Sequence, residues 1–148
     1  MLVSNPRTTP HVLYIDESDE SRSLVRRLLA EKYIVLEASD PLDGLQLAEE
    51  TNPSLILLDH NLPHMSGSEA ATRLKKILPK TPIVIISGDT SVGARERALA
   101  AGAVGFILKP IDDGFKSLVG EYLDGRIEKL ENAEKYLQAY QQELVERL

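Results

Sequence analysis

The chain has 148 residues, of which 43% are hydrophobic, and this length is enough for one domain with a substantial buried core. It contains no cysteine, which excludes a disulfide framework, and its formal net charge of -6 without a basic cluster argues against nucleic acid or membrane partners. Because we find neither a signal-peptide pattern nor a run of about eighteen strongly apolar residues, we expect a cytoplasmic protein.

Short apolar runs alternate with helix-length segments along the chain, after a flexible lead over residues 1–10. The runs, each of which predicts a strand, cover residues 12–15, 34–36, 55–58, 83–86 and 106–108. Asp40 and Ser66 are typical of helix starts, and Gly102 is typical of a helix stop. Five strands that alternate with five helices predict an α/β fold with a doubly wound parallel sheet.

Polar residues follow the strands at their carboxyl ends, which a parallel sheet brings to one edge. These residues are Asp16 and Glu17 after the first strand, Asp59 after the third, Ser87 and Asp89 after the fourth, and Lys109 after the fifth. Clustered carboxylates repel one another unless a cation neutralises them, and oxygen ligands without histidine or thiol favour Mg²⁺. A hydroxyl and a lysine directed at the third carboxylate predict phosphoryl chemistry on Asp59.

Four segments in this order, "VLYIDES", "LILLDHNLPHMSG", "VIISG" and "GFILKP", make the chain similar to the CheY-like receiver domains of two-component response regulators. The resemblance covers residues 11–124. It implies a flavodoxin-like sheet with strand order 2-1-3-4-5, flanked by five helices of which the last is extended. It also implies a phospho-accepting regulatory domain, not an enzyme, that works in phosphorelay signalling with a sensor histidine kinase or a phosphotransfer protein.

The resemblance further implies a role for each site residue. The phosphoryl group would be handled by Asp59 as acceptor, Lys109 as its contact, Ser87 as switch hydroxyl and Phe106 as aromatic switch. Mg²⁺ would be held by Asp16, Glu17, Asp59 and the backbone carbonyl of Asn61. The Lys109-Pro110 bond is expected to be cis. Glu17 departs from the family pattern, which has aspartate there, and its longer side chain puts the metal geometry in doubt.

Two positions, one just past the acceptor and one just past the switch hydroxyl, predict a short-lived phosphoryl group. Asn61 and Asp89 can both hydrogen-bond the hydrolytic water, so Asp89 is expected to tune hydrolysis. The segment over residues 91–102 has small residues and Gly93, which suits either a mobile switch helix or a weak surface helix. Phe106 also fits a plain core position.

Two other functions are alternatives for the same site. A pseudo-receiver, which binds proteins without being phosphorylated, is favoured by Glu17. A Mg²⁺-dependent phosphatase of the haloacid dehalogenase type is disfavoured, because that enzyme needs a second acid where Asn61 stands.

A heptad pattern occupies the end of the chain. Its repeating positions are Leu123, Leu130, Leu137 and Leu144, with Ile127 and Leu148 at the companion position. The pattern predicts a helical extension over residues 125–148 that forms a coiled-coil homodimer or a signalling helix leading toward an output domain. A solvated tail is the alternative.

Overall fold

The computed structural model describes residues 9–124, in which strands and helices alternate. The elements are β1 His11–Ile15, α1 Asp19–Leu29, β2 Ile34–Ala38, α2 Pro41–Thr51, β3 Leu55–Asp59, α3 Gly67–Ile77, β4 Ile83–Ser87, α4 Ala94–Ala100, β5 Gly105–Leu108 and α5 Gly114–Asp124. The strands form one five-stranded sheet in the order β2-β1-β3-β4-β5, and all neighbouring pairs are parallel. The predicted fold class and strand order are confirmed.

Two parts of the sequence-based description fall outside these residues. These parts are the helical extension over residues 125–148 and the first eight residues of the lead predicted over 1–10. Both stay predictions, as does the extension of the last helix beyond Asp124. Among the helices within residues 9–124, none has the length and apolar character needed to cross a membrane.

The two central strands are buried along their whole length, because helices cover both faces of the sheet. Side chains that alternate along β3 enter different core clusters. Leu58 belongs to the same cluster as Leu74 of α3, whereas Leu57 belongs to the cluster of Val25 in α1 and Phe115 in α5. This two-sided packing fixes the carboxyl end of β3 within the core.

The helix ends follow the predicted signals. Asp40 accepts a hydrogen bond from Asp43 N at 2.9 Å, and Ser66 accepts one from Glu69 N at 3.1 Å, so both predicted helix starts are confirmed. Gly102 follows α4 with a φ of 105°, a left-handed conformation that glycine adopts at little cost, so the stop is also confirmed.

Candidate functional site

Asp59 ends β3 in a buried position, with 5% of its surface exposed. The chain continues along the sheet edge, where His60 N donates to the Ile86 carbonyl at 2.8 Å. The start of α3 lies directly against this turn. A Cβ atom on Gly67 would sit 2.8 Å from the Asp59 carbonyl oxygen and 2.9 Å from the His60 Cα, closer than real contacts allow. Glycine at position 67 therefore permits the approach of α3 that closes the site.

Lys109 brings a cation to the two buried carboxylates. Its Nζ lies 2.7 Å from Asp59 Oδ1 and 3.8 Å from Asp16 Oδ2. The second Asp59 oxygen accepts a hydrogen bond from Asn61 N at 3.2 Å. Lys109 follows β5 and lies beside Ser87, whose backbone carbonyl accepts a hydrogen bond from Lys109 N at 2.8 Å. The peptide bond between Lys109 and Pro110 is cis, which confirms the expectation. The predicted meeting of strand ends is thus observed for residues from three strands.

The Asp59 carboxyl group holds its proton more tightly than an ordinary aspartate. Burial is the main reason that its pKa is raised, and the nearby charge of Asp16 raises it further. The hydrogen bond from Lys109 opposes both effects without cancelling them. Two buried carboxylates, Asp16 and Asp59, face the single ammonium group of Lys109, so the site has a net negative charge when both are ionised. Such a site attracts a second cation.

Asp16 is buried, with 2% of its surface exposed, and is held by hydrogen bonds at three points. Its Oδ1 accepts from Ser18 N at 2.8 Å, and its Oδ2 accepts from the Tyr14 hydroxyl. The guanidinium of Arg22 donates to the Asp16 backbone carbonyl. Burial raises the pKa of the Tyr14 phenol, and the hydrogen bond to Asp16 adds to the effect, so the hydroxyl keeps its proton.

Three residues of the site, Tyr14, Arg22 and Gly67, are not among those predicted from the sequence. Tyr14 was part of an apolar run that predicts a strand, although its position two residues before Asp16 places both side chains on one face of the sheet. That spacing is a signal that could have indicated the contact. The contacts of Arg22 and Gly67 depend on how helices pack against loops, which the pattern of apolar residues does not show.

Glu17 is exposed, in contrast to its neighbour Asp16. Over residues 9–124, no group of three or more histidine, cysteine, aspartate or glutamate side chains is arranged to hold a metal ion. The two buried carboxylates, Asp16 and Asp59, nevertheless fit Mg²⁺, which in many sites binds one or two carboxylates and keeps several waters. Their uncompensated charge supports this fit.

The remaining predicted residues lie along β4 and β5. Ser87 is buried, and its Oγ accepts a hydrogen bond from Asp89 N at 2.9 Å. The Asp89 carboxylate accepts from Ser91 N at 2.8 Å and lies 3.7 Å from Arg97 Nη2. Hydrogen bonds from Ser91 lower the pKa of Asp89, so this carboxylate is charged at neutral pH.

Phe106 is half-buried on β5 and packs against the core cluster on the α3 side of the sheet. It also lines a groove of about 620 Å³ between the β4–α4 segment, β5 and α5. The side chain therefore borders both the interior and an open surface. This position is compatible with either a core role or a switch role.

Comparison with known proteins agrees with this architecture. The family described as the response regulator receiver domain matches residues 12–116. The chain belongs to this family. The receiver domain is 34% identical over 134 residues to a protein-glutamate methylesterase/protein-glutamine glutaminase of Ralstonia nicotianae, a match that covers 87% of this chain and 35% of the relative. It is 36% identical over 104 residues to the transcriptional regulatory protein PrrA of Mycobacterium tuberculosis, covering 70% of this chain and 45% of PrrA.

A solved structure extends the comparison. The chemotaxis protein CheY4 of Vibrio cholerae superimposes with a TM-score of 0.73 at 26% identity, over 78% of this chain and 99% of CheY4. By contrast, the chain spans less than half of the curated relatives above, 35% of the methylesterase and 45% of PrrA. The relatives thus share the receiver domain with this chain and contain further sequence of their own.

Proposed function

We propose that this receiver domain accepts a phosphoryl group on Asp59 from a phosphohistidine of a sensor histidine kinase or phosphotransfer protein. The observation that carries the proposal is the position of Lys109 Nζ, 2.7 Å from Asp59 Oδ1 at a buried strand end beside Asp16. A fixed cation at one oxygen of a buried carboxylate is suited to stabilise charge that builds up during phosphoryl transfer.

The transfer requires Asp59 as nucleophile. One carboxylate oxygen forms a bond to phosphorus while the bond from phosphorus to the donor nitrogen breaks, and the electron pair of that bond stays on the imidazole. Lys109 favours the ionised form of Asp59 and neutralises part of the charge on the transferring group. Mg²⁺, when bound, would stabilise the phosphoryl oxygens, and we propose Asp16, Glu17, Asp59 and the Asn61 carbonyl as its ligands.

Phosphorylation adds about -1.5 to -2 charge units to the site. We propose that Ser87, whose hydroxyl lies at the neighbouring strand end, then donates to a phosphoryl oxygen and gives up its hydrogen bond from Asp89 N. Phe106 would rotate toward the vacated space and alter the groove between α4, β5 and α5. A bias of a few kcal/mol is sufficient for such a two-state change.

The test is intact-protein mass after incubation with MgCl₂ and a small phosphodonor such as acetyl phosphate. We expect a mass increase of one phosphoryl group on the wild type and on Asp113→Asn, which changes an exposed aspartate. Asp59→Asn should show no increase. An adduct that persists in Asp59→Asn, or no adduct on any variant at saturating MgCl₂, would contradict the proposal.

A pseudo-receiver is the second candidate, because Glu17 is exposed while Asp16 and Asp59 are buried. If Glu17 spoils the metal site, the wild type should remain unmodified and Glu17→Asp should gain the adduct. An adduct on both proteins would instead favour the phosphorylated receiver.

We also propose that the heptad leucines of residues 125–148 mediate a homodimer. Solution mass by light scattering, recorded with and without the phosphodonor, tests this independently of the chemistry. A dimer that becomes a monomer in Leu130→Ser with Leu137→Ser is expected. A monomeric wild type under both conditions would contradict the dimer.

A further inference from the structure

Tyr14 is a buried titratable residue for which the proposed phosphoryl transfer has no role. It lies in the middle of β1 with none of its surface exposed, and its hydroxyl donates to Asp16 Oδ2. Tyr14 pairs in register with Leu57 of β3. Leu57 lies two residues before Asp59, and Tyr14 lies two residues before Asp16. The phenol and both buried carboxylates therefore share one face of the sheet.

The hydroxyl supplies something that the aromatic ring does not. A phenylalanine would fill the same core volume, whereas a buried hydroxyl needs a hydrogen-bond partner. Here the partner is a carboxylate whose other oxygen is already held by Ser18 N at 2.8 Å. With one donor on each oxygen, the plane of the Asp16 carboxylate is fixed rather than free to turn toward Lys109, which is 3.8 Å away.

The neutral charge of this donor matters as much as its position. A lysine or arginine in place of Tyr14 would neutralise Asp16 and weaken its attraction for a metal ion. A phenol that keeps its proton orients the carboxylate and leaves its negative charge in place. Each carboxylate oxygen has a second lone pair, so a hydrogen bond from Tyr14 still leaves Oδ2 able to accept another partner.

We propose that Tyr14 is a positioning residue for the Mg²⁺ site, acting by holding Asp16 in the orientation that binds the ion. The inference rests on the proposed function, because it assumes that Asp16 binds Mg²⁺. Residues that orient metal ligands through hydrogen bonds typically raise metal affinity by about 10- to 100-fold.

The test measures Mg²⁺ affinity of the full chain by isothermal titration calorimetry. Tyr14→Phe removes the hydroxyl and keeps the ring, and we expect about tenfold weaker binding. Tyr33→Phe is the matched control, since its hydroxyl lies near Gly120 at the opposite end of the sheet, and its affinity should equal that of the wild type. Circular dichroism without metal should show that both variants are folded.

A second measurement separates positioning from a general loss of structure. The rate of adduct formation is followed as a function of MgCl₂ concentration. In Tyr14→Phe the concentration for half-maximal rate should rise about tenfold, while the rate at saturating MgCl₂ stays near that of the wild type. Equal Mg²⁺ affinity in Tyr14→Phe and wild type would overturn the inference while leaving the phosphoryl adduct, and so the proposed function, intact. A wild type that neither binds Mg²⁺ nor forms the adduct would overturn both.

Discussion

The carboxylates of Asp16 and Asp59 beside the end of β3 are buried, whereas the ion pair in the segment that follows β4 is accessible to solvent. Asp16 and Asp59 are almost inaccessible and Lys109 Nζ is 2.7 Å from Asp59. In residues 88–100, which we call the switch segment, the contact between Asp89 and Arg97 is exposed and spans 3.7 Å. Burial makes the first set costly to rearrange, while exposure makes the second set cheap to rearrange.

The helix of the switch segment adds to this difference. α4 has only seven residues. Its N-cap residue, Gly93, makes no side-chain hydrogen bond within the described residues, whereas the N-cap side chains of α1, α2 and α3 each accept one. A short helix without a cap has little stability of its own. The proposed chemistry and the proposed response therefore occupy neighbouring segments, of which the first is held by buried contacts and the second by exposed ones.

The largest effect is expected at Lys109, the cation beside the buried carboxylates. Lys109→Met keeps the apolar stem and removes the charge beside Asp59, so adduct formation should slow about 100-fold. Lys116→Met is the control, because it breaks only an ion pair with the exposed Glu31, and its rate should match the wild type. The measurement is the time course of intact mass, and a near-normal rate in Lys109→Met would show that the cation beside the buried Asp59 does not assist the transfer.

A smaller effect is expected for the packing that closes the site. Gly67→Ala places a methyl group 2.8 Å from the Asp59 carbonyl oxygen and should lower the free energy of unfolding by about 2 kcal/mol. In the switch segment, the methyl group of Gly88→Ala would meet no described atom within 4 Å. The free energy of unfolding of this variant should therefore stay nearly unchanged. Urea unfolding measures the free energy of unfolding of both variants. An equal loss of stability at the two glycines would contradict the close packing at Gly67.

A third prediction concerns pH. Because the pKa of Asp59 is raised by burial, the folded protein keeps this proton to higher pH than the unfolded chain. The stability of the metal-free wild type therefore falls as pH rises through that pKa, and Asp59→Asn lacks this fall. In urea unfolding we expect the variant to be the more stable protein near pH 7, and this advantage should shrink as pH falls toward the ordinary pKa range of an aspartate.

Adding Mg²⁺ provides a second comparison of the same two proteins. Saturating MgCl₂ should stabilise the wild type against urea and have little effect on Asp59→Asn, since ions that bind the native state stabilise it by mass action. Identical pH profiles for the two proteins in metal-free buffer would show that burial does not disfavour the charge on Asp59.

The smallest effect is expected in the switch segment. Asp89→Ala removes a group that could hydrogen-bond the hydrolytic water, and one such bond contributes about 0.5–1.5 kcal/mol, so the phosphoryl lifetime should lengthen on the order of threefold. Arg97→Ala leaves Asp89 in place and removes an exposed ion pair and an exposed hydrogen bond to the Ser91 hydroxyl, so the phosphoryl lifetime should stay close to that of the wild type. An unchanged decay in Asp89→Ala would refute the hydrolysis role.

Much of the fold follows from local patterns. The five apolar runs correspond to the five strands, and the helix signals at Asp40, Ser66 and Gly102 have the expected geometry. The strand ends were less predictable, because β2 continues to Ala38 and β4 to Ser87, past the apolar residues. Ladder hydrogen bonds follow the backbone of neighbouring strands and do not stop where side chains become polar.

The meeting of Asp16, Asp59, Ser87 and Lys109 at one edge can be read from the sequence, because parallel strands place their carboxyl ends together. The burial of Asp16 and the exposure of Glu17 depend on the packed fold, because adjacent side chains leave the chain in different directions and the surrounding packing buries one of them. The same holds for the hydrogen bond from Tyr14 to Asp16 and for the approach of α3 to Asp59 at Gly67. These contacts depend on distances of a few ångströms across loops and helices, which no local pattern of residues specifies.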